Sequence, residues 1–322
     1  MKEIVNNPSK VFAPSVAERA GVGSVSVIAT IGFFDGVHRG HQYLIQQVQK
    51  EALRRGGRSL LITFDRHPRS VFAPDHAPHL LTTADEKQRL LHATGVDDIY
   101  VLPFDHAMAA LSACEFMGSV LRRQLGVDVL VIGYDHHFGR PQGEGFEEYL
   151  AYGQELGIEV VLAQELEGEH VSSSAIRRAL ETGDVEVANR LLGRPYTWTG
   201  RVVHGHALGR QLGFPTANLE GLTPSKVLPA CGAYAITTER SRGMVNIGRR
   251  PTIDNGDNIT IEANLFDLNE DLYGQELTLS FIARLREEQR FDSEAQLAQQ
   301  LQTDRERALH ILTSRMQRSV KS

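Results

Sequence analysis

The sequence predicts two domains: an α/β first half built on a parallel sheet, then a small antiparallel β-sheet or barrel followed by a terminal helix. Three observations predict it. The chain has 322 residues, a length at which two hydrophobic cores are the ordinary expectation. Short apolar runs alternate with helical patterns through the first half, the signature of βαβ units. From Tyr196 onward the segments turn short and β-prone, separated by Gly, Pro and Asn-Gly turns, the pattern of an antiparallel sheet or small barrel. The change falls at "GRPY", Gly193–Tyr196, which divides the chain into 1–192 and 193–322.

Five apolar runs read as buried strands of the first half: Val25–Ile31, Leu60–Phe64, Ile99–Leu102, Val127–Ile132 and Ile158–Leu162. After the first, Leu44, Ile45, Val48 and Leu53 stand near helical spacing, and Gly56-Gly57 is placed to end that helix. "SACE", Ser112–Glu115, is a capping-box pattern ahead of "FMGSVLRRQLG". "VSSSAIRRALETGD" offers serine caps for one short helix, and Asp184 caps a second over "VEVANRLLG". In the second half the β-prone segments are Trp198–Val203, Ala233–Thr238, Met244–Ile247, Ile259–Phe266 and Leu277–Ile282. The amphipathic "SEAQLAQQLQTDRERALHIL" closes the chain, with Ser293 as its candidate cap.

Composition narrows the class. At 41% hydrophobic and 23% charged residues, the chain has the balance of a globular protein with a full core. A formal net charge of -6 and no basic stripe with interleaved aromatics argue against nucleic acid as a partner. Any anion must be held by a local site. Two cysteines, Cys114 and Cys231, outside any metal-type spacing, fit a reducing compartment rather than a disulfide scaffold. The first residues lack the apolar core of a signal peptide, and no apolar run reaches the ~20 residues of a membrane span. A cytoplasmic protein without a membrane partner is expected; oligomeric state is not legible.

The chemistry concentrates where predicted strands end. "GFFDGVHRGH", Gly32–His41, follows a strand and opens a helix, where an α/β sheet presents backbone N–H groups and a positive helix end to phosphate. His38 and His41 lie three apart and project from one face of the first turn. Their spacing admits phosphate binding, acid–base work, metal ligation or plain packing; zinc would need further ligands that the other histidines do not offer at suitable spacing. "TFDRHP", Thr63–Pro68, and "IGYDHHFG", Ile132–Gly139, end the second and fourth strands, and "VSSSAIR", Val171–Arg177, opens a helix. Ser173, Ser174 and Arg177 would add hydroxyls, helix N–H groups and a fork-shaped cation for a polyphosphate. Each alone also reads as a cap or a surface charge.

As a set these runs resemble the prokaryotic bifunctional riboflavin kinase/FMN adenylyltransferase (FAD synthetase) family. The family's nucleotidylyltransferase module carries G-x-F-D-G-x-H-x-G-H, matched by Gly32, Phe33 or Phe34, Asp35, Gly36, His38, Gly40 and His41. T-F-x-x-H-P is matched by Thr63, Phe64, His67 and Pro68, with Arg66 where proline is usual. G-x-D-x-x-F-G is matched by Gly133, Asp135, Phe138 and Gly139, with His137 where arginine is common. I-S-S-x-x-I-R is matched by Ser172, Ser173, Ile176 and Arg177, with Val171 for isoleucine. "GRQLGFPTANL", Gly209–Leu219, resembles the riboflavin kinase signature. "VNIGRRPTIDNG" and "IEANLFD" resemble its next blocks, with Arg249 where threonine is frequent and Asn264 replacing a histidine. "DLYGQELTLSFIARLREEQRFDS" resembles the closing block.

The resemblance implies a Rossmann-like nucleotidylyltransferase domain followed by a riboflavin kinase-like β-barrel. It implies ATP and Mg²⁺ as cofactors, riboflavin and FMN as substrates, and FMN and FAD as intermediate and product. Glu262 takes the position of the kinase's general base, Thr216 and Asn218 that of Mg²⁺ ligands, and Gly209, Arg210 and Thr216 that of the kinase's nucleotide loop. Gly32, Phe33, Asp35, Gly36, His38, His41, Ser173, Ser174 and Arg177 fall to the adenylyltransferase's nucleotide, with His38, His41 and Arg177 stabilising its transition state. Phe64, His67, Pro68, Asp135 and Arg286 fall to flavin. Two other readings stand beside this one: a nucleotidylyltransferase for another acceptor, against which "GRQLGFPTAN" speaks, and a flavin-binding protein that has lost turnover.

Overall fold

The computed structural model describes residues 25–133, 138–139, 144–168, 170–204, 213–250, 258–268 and 270–319. They form two compact units. One runs to Pro78 and resumes over Thr82–Val171; the other is His79–Leu81 with Ser172 onward.

The first unit is a five-stranded parallel sheet: β1 Val27–Ile31, β2 Arg58–Phe64, β3 Asp98–Leu102, β4 Val129–Ile132 and β5 Glu159–Leu162. Their order is β3-β2-β1-β4-β5. The order reverses between β1 and β4, so the crevice beyond their carboxyl ends is where ligands of such sheets bind. Alternate residues feed two cores. Ala29, Ile31, Ile62 and Leu130 pack with Phe116, Met117, Leu121 and Tyr149 on one face. On the other, Ile28, Val129 and Val131 pack with Val48 and Ala52, while Leu61 and Ile99 pack with Ile45 and Leu91. Apolar residues on both faces of a strand are what a parallel sheet covered by helices requires.

The helices of this unit are α1 Arg39–Arg55, α2 Pro68–Phe72, α3 Ala84–His92, α4 His106–Ala110, α5 Ala113–Phe116 and α6 Phe146–Leu156. The helix α1 ends on Gly56 in the left-handed region, φ 61°, as the Gly-Gly pair predicts. Leu53, expected on its apolar face, is 85% exposed. The row Ile45, Val48, Ala52 follows the helical repeat inward and leaves Leu53 on the outside. The capping box at Ser112 and Glu115 is present, and α5 continues as a π-helical stretch over Met117–Gln124. Val25 lies outside β1 and is exposed. The helices α2, α3, α4 and α6 are additions to the sequence reading.

The second unit holds α7 Ser173–Glu181 and α8 Val185–Leu192, capped by Ser172 and Asp184 as expected. Buried Asn189 on α8 donates to the Phe281 carbonyl at 2.8 Å and accepts the Tyr196 N–H at 2.6 Å. Those bonds attach α8 to a closed barrel of β6 Tyr196–Val203, β7 Ala217–Gly221, β8 Gly232–Thr237, β9 Arg242–Arg250, β10 Asn258–Leu265 and β11 Glu276–Glu287, in the order β10-β7-β6-β11-β8-β9. The sequence pattern misses β7, since "ANLEG" is poor in β-formers. Its pairing with β6 and β10 closes the barrel. Helix α9, Glu294–Ser319, lays Ala308 and Leu312 against Phe214, Met244 and Ile282, and the Ser293 hydroxyl accepts the Gln296 N–H at 3.3 Å.

Candidate active sites

In the first unit, the chain leaving β1 makes a tight loop before α1. Gly32 N–H bonds the Ile62 carbonyl at 3.0 Å. Phe34 and Val37 take positive φ of 54° and 40°, conformations costly for residues bearing Cβ and kept only where the surroundings over-determine them. Asp35 does this. Buried at 3% exposure, it accepts the Thr82 N–H and hydroxyl at 3.1 and 3.2 Å, while the Thr82 hydroxyl oxygen accepts Gly36 N–H at 3.1 Å. Asp35 thus shapes the loop from within.

The loop delivers His38 to the N-cap of α1, where its Nδ1 accepts the His41 N–H at 3.3 Å. That bond leaves Nε2 as the protonated nitrogen of the neutral ring. The two imidazoles stack at 3.5 Å between centroids with planes 16° apart. Gly40 leaves room for the pair: a Cβ there would lie 3.3 Å from the His38 ring, tight enough to press on it. The first turn of α1 carries no acidic residue, so its positive end is not neutralised from within the helix. Imidazole N–H groups at such a helix end are suited to an anion.

The same edge opens a cavity of about 490 Å³. Gly32 and Phe33 border it from the loop, and Phe64, His67 and Pro68 from the chain beyond β2. His67 caps α2 by accepting the Arg69 N–H at 3.1 Å, with Pro68 at the first helical position. Phe72, Phe104, Met108 and Phe116 complete a largely aromatic wall that the sequence reading did not name. Phe104 is held because its N–H donates to Asp65 at 2.9 Å, and its ring meets Phe64 edge-on at 5.1 Å. Phe104 follows the carboxyl end of β3, so the strand-end rule was a signal for it. Phe138 also lines the cavity, backed by the ring of buried Tyr149 at 4.3 Å. Arg66, the departure in "TFDRHP", pairs with Asp65 at 3.1 Å on the surface. Asp135 lies outside the described residues, as does His137.

One further residue stands behind this wall. Lys87 of α3, only 7% exposed, donates to the carbonyls of Phe33 and Phe64 at 3.2 and 2.9 Å and to the Thr63 hydroxyl at 3.4 Å. Burial pushes its pKa down to about 8, with the charges of Asp35 and Asp65 acting in the opposite direction.

In the second unit, Ser172 caps α7 by accepting Ala175 N–H at 3.2 Å, and Ser173 and Ser174 form its first turn, again without an acidic residue. Arg177 donates from Nε to the His79 carbonyl at 2.7 Å. On the barrel, Asn218 of β7 is the register partner of Glu262 on β10, and Glu262 is in turn the partner of Asn246 on β9. Register partners present their side chains on one face, so these three form a polar row across adjacent strands. Thr216 borders a cavity of about 460 Å³ and Asn218 one of about 780 Å³; Glu262 borders neither. Asn264 is buried and donates to the Pro215 carbonyl at 2.7 Å, tying the chain just before Thr216 to β10. Arg286 is engaged with Asp304 of α9 at 2.9 Å, both largely buried. Arg249 offers its N–H to Glu288 at 2.8 Å. Gly209 and Arg210 lie outside the described residues.

Thr216 and Asn218 supply a hydroxyl and an amide oxygen, hard donors suited to a magnesium ion shared with phosphate. Among the described residues no group of three or more His, Cys, Asp or Glu side chains could hold a metal ion by itself. No described helix is long and apolar enough to cross a membrane.

Comparison with known proteins bears on both units. A family model described as FAD synthetase matches residues 24–175, and one described as riboflavin kinase matches residues 192–312. A protein of Pseudomonas fluorescens named bifunctional riboflavin kinase/FMN adenylyltransferase is 40% identical over 272 residues, 83% of this chain and 86% of its own. Proteins of the same name from Escherichia coli K12 and Bacillus subtilis are 38% and 34% identical, covering 86% and 89% of this chain and 90% and 93% of theirs. A crystal structure described as a macrolide-efflux protein from Streptococcus pneumoniae superposes with a TM-score of 0.79 at 34% identity, over 89% of this chain and 94% of that one.

Proposed function

The chain belongs to the bifunctional riboflavin kinase/FMN adenylyltransferase family, and from that membership we propose how its residues carry the two reactions. It phosphorylates riboflavin with ATP to FMN, and it adenylates FMN with a second ATP to FAD and pyrophosphate. We take residues 1–192 as the adenylyltransferase and 193–322 as the kinase.

In the adenylyl transfer a phosphate oxygen of FMN attacks the α-phosphorus of ATP. The bond to the bridging oxygen of the β-phosphate breaks, and pyrophosphate leaves. The nucleophile is already anionic at neutral pH, so no general base is needed. His38, His41 and the start of α1 offer donors to the oxygens on which charge develops. Arg177, Ser173 and Ser174 are assigned to the departing phosphates on the strength of their motif. The phenylalanine-lined cavity suits a flat fused-ring system, with Phe64, His67 and Pro68 on the flavin side.

In the kinase, Glu262 takes the proton of the ribityl 5′-hydroxyl as its oxygen attacks the γ-phosphorus, the bond from that phosphorus to the bridging oxygen of the β-phosphate breaks, and ADP leaves. Thr216 and Asn218 would hold Mg²⁺, which supplies charge compensation at the phosphates when bound. The support for Glu262 is its register beside Asn218. Free thiols at Cys114 and Cys231 support a cytoplasmic location.

The observation that carries the adenylyltransferase assignment is the stacked His38/His41 pair on the positive end of α1 at the sheet's switch point. A chromatographic time course with riboflavin, ATP and magnesium tests the division. Wild type passes through FMN to FAD; His41→Ala stops at FMN; Glu262→Gln leaves riboflavin untouched yet makes FAD from added FMN. Loss of both activities in either folded variant overturns the two-site assignment.

A further inference from the structure

We propose that Lys87 is a positioning residue of the adenylyltransferase centre, fixing Phe33, which the motif resemblance gave to the nucleotide, so that its ring forms the wall against which the flavin of FMN lies. The proposal rests on the assignment of the phenylalanine-lined cavity to FMN.

Lys87 is placed on α3, away from every motif discussed above, yet its ammonium ends at the carboxyl edge of β1 and β2. Its three protons match three acceptors: the Phe33 carbonyl, the Phe64 carbonyl and the Thr63 hydroxyl. Phe33 and Phe64 both line the cavity, and Lys87 does not. The ammonium also sits 3.9 Å from the centroid of the Phe33 ring, while the His67 ring meets Phe33 in a T-shaped contact, 4.8 Å between centroids. Phe33 is therefore held through its carbonyl and its ring at once, by a cation over the π-system and an imidazole beside it. An ammonium buried without a close carboxylate partner is unfavourable, and a methionine would fill the same space more cheaply. The charge is retained where it orients a wall of the cavity.

The groups acting on that charge are Asp35, from the loop after β1, and Asp65, at the end of β2. Both favour the ammonium, burial opposes it, and the balance leaves the amine titrating at about 8. Above that pH the neutral amine has two protons for three acceptors and no cation over Phe33.

The test is the Michaelis constant for FMN in FAD formation by the full-length protein at saturating ATP, from about pH 7 to about pH 9.5. FMN keeps its phosphate charge through this range. Lys87→Met raises the constant about five- to tenfold at neutral pH, the size of a lost cation–π and charge-assisted contact, with little change in turnover. Wild type weakens above pH 8 toward the Lys87→Met value. Lys87→Arg, cationic throughout, stays near wild type at neutral pH and lacks the alkaline rise. Thermal unfolding confirms that each variant is folded, and unchanged riboflavin kinase activity serves as the control for protein concentration. An unchanged constant in Lys87→Met, or a flat wild-type profile, overturns the proposal. Phe104→Ala separates the two failures: if it leaves FMN binding unaltered, the cavity assignment fails; if it weakens FMN and Lys87→Met does not, the role of Lys87 alone fails.

Discussion

His38 shows how one side chain does two jobs at this edge of the sheet: its Nδ1 completes the cap of α1 while the rest of the ring stacks on His41. Gly139, across the same cavity, is constrained in a different way. It takes φ 83°, and a Cβ there would lie 2.3 Å from the Ala113 nitrogen. Gly139→Ala must then move the start of α5 or the cavity wall, so it is expected to lower the melting temperature and weaken FMN more than riboflavin. Parallel kinase and adenylyltransferase assays on a protein of known melting temperature check this. Lys87 makes a prediction of its own. Its folded-state pKa of about 8 lies below the ordinary 10.5, so between those values the unfolded chain binds more protons than the folded one. Stability from this group therefore rises with pH across that window and is lowest below it. Denaturation of wild type and Lys87→Met over that range should show the rise in the former alone.

At the scale of elements, α3 carries Lys87 to its place, and a capping box sets where α3 begins: Thr83 and Glu86 exchange bonds at 3.2 and 2.9 Å. Thr83→Ala is expected to cost about 1 kcal/mol, read from urea unfolding. In the second unit, β11 is fastened to α9 by Arg286 and Asp304, 11% and 4% exposed, with Gln300 also on Asp304 at 2.8 Å. Asp304→Leu would strand the guanidinium in the interior and cost about 3–5 kcal/mol. The double change Arg286→Met with Asp304→Leu should recover most of that in the same denaturation experiment, because no buried charge remains unpaired. The barrel depends on β7, a strand of five residues whose composition does not announce it. It exists because β6 and β10 offer it two unsatisfied edges.

For the molecule as a whole, the two reactions are assigned to different sets of residues, with His38 and His41 in one compact unit and Glu262 in the other. A mixture of His41→Ala and Glu262→Gln is therefore expected to make FAD from riboflavin at a rate approaching wild type, since FMN released by one chain can be used by the other. A mixture no better than its components would mean that FMN does not leave the chain that makes it. Much of this plan was legible beforehand. Strand alternation, the caps at Ser112, Ser172 and Asp184, the Gly56 stop and the contiguous motifs Gly32–His41, Thr63–Pro68 and Ser172–Arg177 depend on residues a few positions apart. Periodicity and capping are local physics, and a sequence states them directly. The order of the parallel strands, the closing of the barrel by β7, the inward turn of Asp35, and the cavity assembled from Phe33, Phe64, Phe72, Phe104 and Phe116 were decided only by tertiary structure. So was the reach of Lys87 across more than fifty residues of sequence to Phe33. These features arise where distant segments bury apolar surface against one another, and no local pattern in the chain records which segments will meet.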